Sequence, residues 1–175
     1  NSLDIAPLTP GDTRRLLFSV LNSRQREQFE ETREIDFALS INIKRTEKGK
    51  TEEPIPYRFR INGFFQRGNV AIAIRVIPKR IPPPEELGLP KPLLDLASKK
   101  QGLLLVTGPT GHGKSTTLAS LINLINANRA CHIITIEDPI EYVHNNNKAV
   151  IEQREVFADT LSFSNALKFV LRQDP

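Results

Sequence analysis

The chain has 175 residues, of which 39% are hydrophobic and 25% are charged, a balance typical of a folded globular protein with one or two domains. Its formal net charge of +4 permits contact with nucleic acid or an anionic membrane surface but requires neither. A single cysteine, Cys131, excludes an internal disulfide and fits a reducing compartment. No apolar run reaches the ~20 residues of a membrane-spanning helix, and no secretory signal is visible.

Two helices are predicted in the N-terminal part of the chain. Thr9 is a favourable N-cap, Pro10 suits the first helical position, and Asp12 adds an acidic group to the first turn. Ser23 is expected to cap a second, short helix that contains Phe29.

Alternation of apolar and polar residues next predicts three one-sided strands, over residues 35–43, 57–62 and 70–76. The intervening residues 44–54 are polar and charged, which predicts an exposed loop. Helices followed by an antiparallel meander indicate an α+β domain over residues 1–77.

A proline-rich segment follows this domain. Because proline removes backbone donors and stiffens the chain, residues 78–92 predict a linker between two domains. Residues 93–175 would then form the second domain, opening with a short helix over 93–100. The six prolines of the segment are Pro78, Pro82, Pro83, Pro84, Pro90 and Pro92.

Residues 108–115, Gly-Pro-Thr-Gly-His-Gly-Lys-Ser, fit the phosphate-binding pattern G-x-x-x-x-G-K-[ST]. The apolar run 103–107 before them predicts a strand of a parallel sheet that is buried on both faces. Leucines and isoleucines at helical spacing predict a helix over 114–126 after them. Strand, glycine loop and helix is the order that a phosphate loop requires, which argues against a chance glycine-rich turn.

The residue types of this loop suit a nucleotide and Mg²⁺. Glycines let the main chain approach a phosphate, and the N–H groups at the helix start hold the anion. Lys114 supplies a positive charge to the β- and γ-phosphates, and Ser115 offers a hydroxyl ligand to Mg²⁺. The predicted binding residues are Gly108, Pro109, Thr110, Gly111, His112, Gly113, Lys114, Ser115 and Thr116.

A second apolar strand, residues 132–136, ends in an acidic segment that contains Glu137, Asp138 and Glu141. Ligands of open α/β sheets bind at the carboxyl ends of strands. One of these carboxylates would polarise the attacking water or hold Mg²⁺ through water. The alternative is an acidic turn without a catalytic role.

The remaining patterns concern the end of the chain. Residues 149–154 predict another strand, and residues 162–172 predict a helix with one apolar face. Cys131 precedes an apolar strand and is expected to be a small buried core residue. The three histidines form no metal-ligand pattern with Cys131, so no structural zinc is expected.

Four segments of the second domain carry a resemblance to a known family: 102–119, 132–144 (His-Ile-Ile-Thr-Ile-Glu-Asp-Pro-Ile-Glu-Tyr-Val-His), 153–156 (Gln-Arg-Glu-Val) and 171–175 (Leu-Arg-Gln-Asp-Pro). They closely resemble the type II/IV secretion ATPase superfamily, and within it the type IV pilus retraction, or twitching motility, ATPases. The Gln-Arg-Glu-Val segment favours the retraction branch over the secretion and pilus-extension branches. Two stretches of the first domain, 57–62 and 73–78, match the family as well.

The resemblance implies an α/β chain with a PAS-like α+β N-terminal domain, a flexible linker and a RecA-like P-loop NTPase domain. It also implies a hexameric ring of identical subunits that binds ATP and Mg²⁺ between the two domains. Such a motor would act in the cytoplasm at the pilus base, on a platform protein of the inner membrane. Neither membrane insertion nor nucleic-acid binding is expected. The alternatives are a secretion, pilus-extension or DNA-uptake ATPase, a fragment that binds nucleotide without turnover, and a nucleic-acid motor.

The same resemblance implies roles for particular residues. Glu137 would be the catalytic carboxylate that activates water, with Glu141 a weaker second candidate. Arg154 and Glu155 would line the cleft or a subunit contact, and His112 would have no catalytic role. Three arginines of the first domain would reach the phosphates, although alternation alone predicts a solvated strand face for them. They are Arg58, Arg60 and Arg75.

Family members have a strand before the segment that begins here, and they continue after residue 175 into the Walker B strand and a histidine-containing box. We therefore expect the chain to be a fragment whose ATPase domain ends before Walker B. The loop over 44–54 is also longer than is usual in the family.

Overall fold

The computed structural model describes residues 6–43, 46–47, 50–51 and 55–173. The chain divides into two compact units, Asn1–Ile77 and Pro78–Pro175. Within the described residues, no helix is long and apolar enough to cross a membrane.

The first unit begins with two helices, α1 (Pro10–Val20) and α2 (Ser23–Thr32), each of which starts with a capping box. Thr9 caps α1 as predicted, and its backbone N–H donates to Asp12 Oδ2 at 2.9 Å. The predicted cap of α2 is wrong by one residue, because Asn22 rather than Ser23 accepts the N–H of Gln25, at 2.9 Å. The Gln25 side chain reciprocates by accepting the N–H of Asn22, which a cap at Ser23 would not allow.

A three-stranded antiparallel sheet follows the helices, in the order β1-β4-β5. Phe37 of β1 lies opposite Ile61 of β4, which lies opposite Ile74 of β5, so the apolar residues of all three strands share one face. The predicted meander is therefore present. The strands of this unit are β1 (Glu34–Ile43), β2 (Thr46–Glu47), β3 (Lys50–Thr51), β4 (Ile55–Gln66) and β5 (Asn69–Ile77).

The stretch 44–54 is more ordered than the predicted loop. Its short strands β2 and β3 pair antiparallel, with Thr46 opposite Thr51 and Glu47 opposite Lys50. The remaining positions of that prediction, 44–45, 48–49 and 52–54, lie outside the described residues.

The two helices cover part of the apolar face of this sheet, and Ile41, Ile74 and Val76 on the same face remain exposed. Leu17 of α1 and Phe29 of α2 are both fully buried. Phe29 stacks on Phe65 of β4 with 5.2 Å between ring centroids, and Phe18 meets the edge of Phe29 at 6.0 Å. Aromatic burial of this kind supplies much of the core energy of a small domain.

The second unit contains three helices and a parallel strand pair. Helix α3 begins two residues before the predicted start and includes Pro92, which is tolerated because N–H groups of the first turn lack intrahelical partners anyway. Helix α5 is shorter than predicted, with Ser162 as its N-cap. The elements are α3 (Lys91–Ala97), α4 (Lys114–Asn128), β6 (His132–Glu137), β7 (Val150–Glu155) and α5 (Phe163–Val170).

One predicted strand is absent. Residues 103–107 form no strand, and the side chains of Leu103 and Leu105 are 85% and 73% exposed, against the expectation of burial on both faces. Within the described part of the chain this run has no neighbouring strand, and a strand needs a partner to satisfy its N–H and C=O groups. Cys131 is also half-buried rather than buried.

Because α1 packs closely on β4, any side chain at Gly63 should destabilise the fold. A Cβ atom there would lie 2.7 Å from Leu17 Cδ2 and 3.2 Å from Ile35 Cγ2. We expect Gly63→Ala to lower the free energy of unfolding by about 1–3 kcal/mol, because both neighbours are fixed in the core. Chemical denaturation measures this, with Gly11→Ala as the control, since a Cβ there meets nothing closer than 3.8 Å. Equal stability of the two variants would contradict this packing.

The α1 capping box predicts a pH dependence. The pKa of Asp12 is lowered from 3.8 to about 2, first by the hydroxyl of Thr9, then by its N–H and by Arg15. A lowered pKa means that the cap contributes stability above pH 3.8 and loses it as the pH falls towards 2. An NMR titration of the Asp12 carboxyl carbon should show the low midpoint, and Thr9→Ala should move it up. A midpoint near 3.8 in the parent protein would contradict the cap.

Candidate nucleotide-binding site

The phosphate loop depends on three glycines with positive φ. These angles are 148° at Gly108, 81° at Gly111 and 80° at Gly113. Residues with a side chain rarely adopt such angles, whereas glycine does so without strain. A Cβ at any of the three would meet no atom within 4 Å, so the backbone angle rather than crowding requires glycine here.

The loop ends at the start of α4, which leaves donors available to an anion. Gly113 is the N-cap of α4, and because it has no side chain it accepts no hydrogen bond from the N–H groups of the first turn. The first backbone bond of the helix runs from Thr117 N to Gly113 O at 2.8 Å. The first N–H groups of the helix therefore have no capping acceptor. With the helix dipole they provide a site that fits a phosphate.

The side chains of the loop turn back onto its own backbone. Lys114 Nζ donates to the carbonyl oxygen of Pro109 at 2.7 Å, and Nδ1 of His112 lies 3.1 Å from the carbonyl oxygen of Thr110. The lysine ammonium is thus held across the loop, next to the glycine backbone.

A cavity of about 390 Å³ lies between α4 and the segment after β6. Ser115 lines it from the helix, and Glu137 lines it from the end of the strand. Its other polar lining residues are Thr135, Asp138, Glu141, Tyr142 and His144. The structure therefore brings the predicted Mg²⁺ ligand and the predicted catalytic carboxylate to one cavity.

The carboxylate of Glu137 is oriented by two donors. Its Oε1 accepts a hydrogen bond from Thr135 Oγ1 at 2.6 Å and another from Gln153 Nε2 at 3.0 Å. Gln153 also donates to the carbonyl oxygen of Tyr142 at 2.8 Å and accepts the N–H of His144 at 2.8 Å. Gln153 on β7 thus holds Glu137 at the start of the acidic segment and the backbone of Tyr142 and His144 just after it.

The environment of His144 favours the neutral form of its imidazole. Partial burial lowers the pKa of its imidazole, and the Glu137 carboxylate raises it by a smaller amount. Its Nδ1 atom is buried, and no hydrogen-bond partner for it exists among the described residues.

Glu155 holds the backbone of the turn after β6 rather than lining the cavity. Only 7% of it is exposed, and its Oε2 accepts the N–H of Ile140 at 3.0 Å. Its own N–H donates to Asp159 Oδ2 at 2.8 Å. Arg154, its neighbour on β7, is half-buried.

The donor set suits Mg²⁺ bound together with phosphates. Across the described ranges, no group of three or more His, Cys, Asp or Glu side chains is arranged to hold a metal alone. Mg²⁺ prefers one or two protein ligands completed by phosphate oxygens and water. Ser115 at the cavity wall offers one such ligand.

The three predicted arginines share one face of the sheet in the first unit. Arg60 of β4 lies opposite Arg75 of β5, and Arg58 lies two residues away on the same face. The Nε and Nη2 atoms of Arg60 contact the carboxylate of Asp36, at 3.1 and 2.6 Å from Oδ2. Arg58 Nη1 lies 3.5 Å from Ser40 Oγ. The structure therefore groups the three guanidinium-bearing positions.

Sequence reasoning missed four residues of the second unit's site. Gln153 appeared only as part of a family segment, although the parallel register places it opposite Thr135 and beside Glu137. Tyr142 was missed as well, and its hydroxyl lies 3.0 Å from Thr116 Oγ1 of the phosphate loop. The sequence signal for Gln153 was a polar residue in a predicted strand. Its partners can be identified only when the pairing register of that strand is known. The four are Thr135, Tyr142, His144 and Gln153.

Comparisons with known proteins agree with this architecture. Residues 50–175 match the family model described as type II/IV secretion system protein. The type IV pilus retraction ATPase PilT of Pseudomonas aeruginosa is 40% identical over 173 residues, which cover 99% of this chain and 47% of that protein. The type IV pilus ATPase PilU of the same organism is 45% identical over 169 residues, covering 97% and 41%.

A solved structure extends the likeness to three dimensions. The crystal structure of the pilus retraction motor PilT with bound ADP matches with a TM-score of 0.83 at 49% identity, covering 96% of this chain and 46% of that chain. The chain spans about half the length of the relatives it matches. The predicted resemblance and α/β fold class are confirmed, and the chain belongs to the type II/IV secretion system protein family.

Proposed function

We propose that the protein is a Mg²⁺-dependent ATPase, the subunit of a ring-shaped motor that powers type IV pilus retraction. One observation carries this proposal. Ser115, the last residue of the phosphate-loop pattern, and the oriented carboxylate of Glu137 line the same cavity. An anion site beside a fixed general base is the arrangement that ATP hydrolysis requires.

Binding would use groups that the structure already holds in place. The phosphates would lie on the N–H groups at the start of α4, and Lys114 would exchange the carbonyl of Pro109 for the β- and γ-phosphates. Mg²⁺, when bound at Ser115, would neutralise charge on the phosphate oxygens. Glu137 would accept a proton from the attacking water, and its bonds to Thr135 and Gln153 would keep it aimed at that water.

The wider function rests on the relatives. One of them is named a pilus retraction ATPase, and the solved motor carries ADP. By analogy, six subunits would form a ring at the cytoplasmic side of the pilus base and act on an inner-membrane platform protein. Residues 1–77 and 93–175 would be its domains, and the proline-rich segment 78–92 would be the hinge between them.

The three arginines on one face of the first unit's sheet belong to the same proposal. Arg58, Arg60 and Arg75 would supply positive charge to the phosphates, from the same or a neighbouring subunit. Arg60 would do so only after exchanging part of its bidentate contact with Asp36, because one guanidinium cannot serve both carboxylate and phosphate fully.

Removal of the loop lysine should abolish tight nucleotide binding. We expect Lys114→Ala to weaken ATP binding at least ~10-fold, because the charge on the β- and γ-phosphates loses its protein partner. Equilibrium binding of a fluorescent ATP analogue with Mg²⁺ measures this. Lys148→Ala, at an exposed lysine outside the loop, is the matched control. Unchanged affinity of Lys114→Ala would rule out the loop as the phosphate site.

Removal of the general base should abolish turnover and spare binding. Glu137→Gln keeps the shape of the side chain, so we expect kcat to fall about 10²–10⁴-fold with ATP affinity near that of the parent protein. Phosphate release by the full-length protein measures kcat. Glu141→Gln, which changes another carboxylate of the same cavity, should cost far less. Equal losses, or a fast Glu137→Gln variant, would show that Glu137 is not the base.

A further inference from the structure

A single glutamine side chain joins three parts of the candidate site. The amide of Gln153 on β7 donates to Glu137 Oε1 and to the carbonyl oxygen of Tyr142, at 3.0 and 2.8 Å. Its Oε1 accepts the N–H of His144 at 2.8 Å. We propose that Gln153 is a positioning residue for ATP hydrolysis, which fixes both the carboxylate of Glu137 and the cavity wall after it. This inference rests on the proposed ATPase function.

The hydrogen-bonding pattern requires a primary amide at this position. The NH₂ group of Gln153 donates to two acceptors, a carboxylate and a carbonyl. Its oxygen accepts from one donor, a backbone N–H. The opposite orientation of the amide would place oxygen against two oxygens, so the assignment of its N and O atoms is fixed by the partners. A glutamate keeps the size of the side chain but loses both donated bonds.

The geometry also separates positioning from chemistry. Gln153 is absent from the lining of the cavity, whereas Glu137, Tyr142 and His144 all line it. Gln153 therefore acts on the nucleotide only through these three residues. Because the chemical step depends on the aim of the carboxylate, a small displacement of Glu137 lowers kcat more than it lowers nucleotide affinity.

A further contact ties this arrangement to the phosphate loop. The hydroxyl of Tyr142 lies 3.0 Å from Thr116 Oγ1, in the first turn of α4. The carbonyl of the same tyrosine is held by Gln153. The side chain of Gln153 thus holds two groups: Tyr142, which contacts the phosphate-loop helix, and the carboxylate of Glu137.

The test compares four variants of the full-length protein, two at Gln153, one at Glu152 and one at Thr135. Gln153→Glu keeps the size and the acceptor for His144 but removes both donors, and Gln153→Ala removes all three bonds. Glu152→Ala is the matched control on the same strand, since its side chain is half-exposed and forms an ion pair with His132, at 3.5 Å, away from the cavity lining. Each variant is assayed for kcat, for KM, for the Kd of a fluorescent ADP derivative, and for melting temperature.

For Gln153→Glu we expect kcat to fall about 10- to 100-fold, with KM and the Kd of the ADP derivative within about threefold of the parent values. Gln153→Ala should lower kcat in the same direction, and Glu152→Ala should leave it unchanged. Thr135→Val removes the other donor to Glu137 but leaves the bonds of Gln153 to Tyr142 and His144 in place, so it should lower kcat less.

Several results would overturn the proposal. One is a Gln153→Glu variant that keeps more than half of the parent kcat. A second is a loss of kcat that is matched by an equal loss of ADP affinity. A third is failure of both Gln153 variants to fold. Either of the last two results would indicate that Gln153 has a structural role alone. If the parent protein itself shows no ATP turnover, the proposed function fails rather than the role of Gln153.

Discussion

The parallel pairing of β6 and β7 is the constraint on which the candidate site depends. Thr135 lies opposite Gln153 and Glu137 lies opposite Glu155, so the carboxyl ends of both strands meet at one edge. Side chains alternate between the faces of a strand, and a slip of one residue would carry Gln153 away from Glu137. The register therefore fixes the carboxylate of Glu137, the proposed general base, without a bound nucleotide.

The connection between these strands shows how the constraint is maintained. It runs through residues 138–149 without a helix or strand, so side chains must satisfy its backbone. Asn126 of α4, 2% exposed, donates to the carbonyl of Asn145 at 2.8 Å and accepts the N–H of Asn147 at 3.0 Å. Together with Gln153 and Glu155, it holds an irregular segment in one conformation. Side-chain hydrogen bonds thus hold the backbone of the segment that lines the cavity.

Local patterns in the sequence predicted most of the fold, because they depend only on neighbours in the chain. The Thr9 cap, the antiparallel meander and the phosphate-loop helix belong to this class. The strand over 103–107 failed because apolar character alone does not provide a partner for hydrogen bonding. Gln153 was missed for a related reason, since its role follows from a pairing register that no local pattern encodes.

A crystal structure of the full-length protein with Mg²⁺ and a non-hydrolysable ATP analogue would show whether the phosphate loop and Glu137 act on the same nucleotide. We expect phosphates on the N–H groups at the start of α4, near Lys114. We also expect Glu137 within hydrogen-bond reach, about 2.6–3.2 Å or through one water, of a water in line with the γ-phosphate. A nucleotide bound away from the phosphate loop, or a Glu137 carboxylate turned away from the γ-phosphate, would contradict the proposed mechanism.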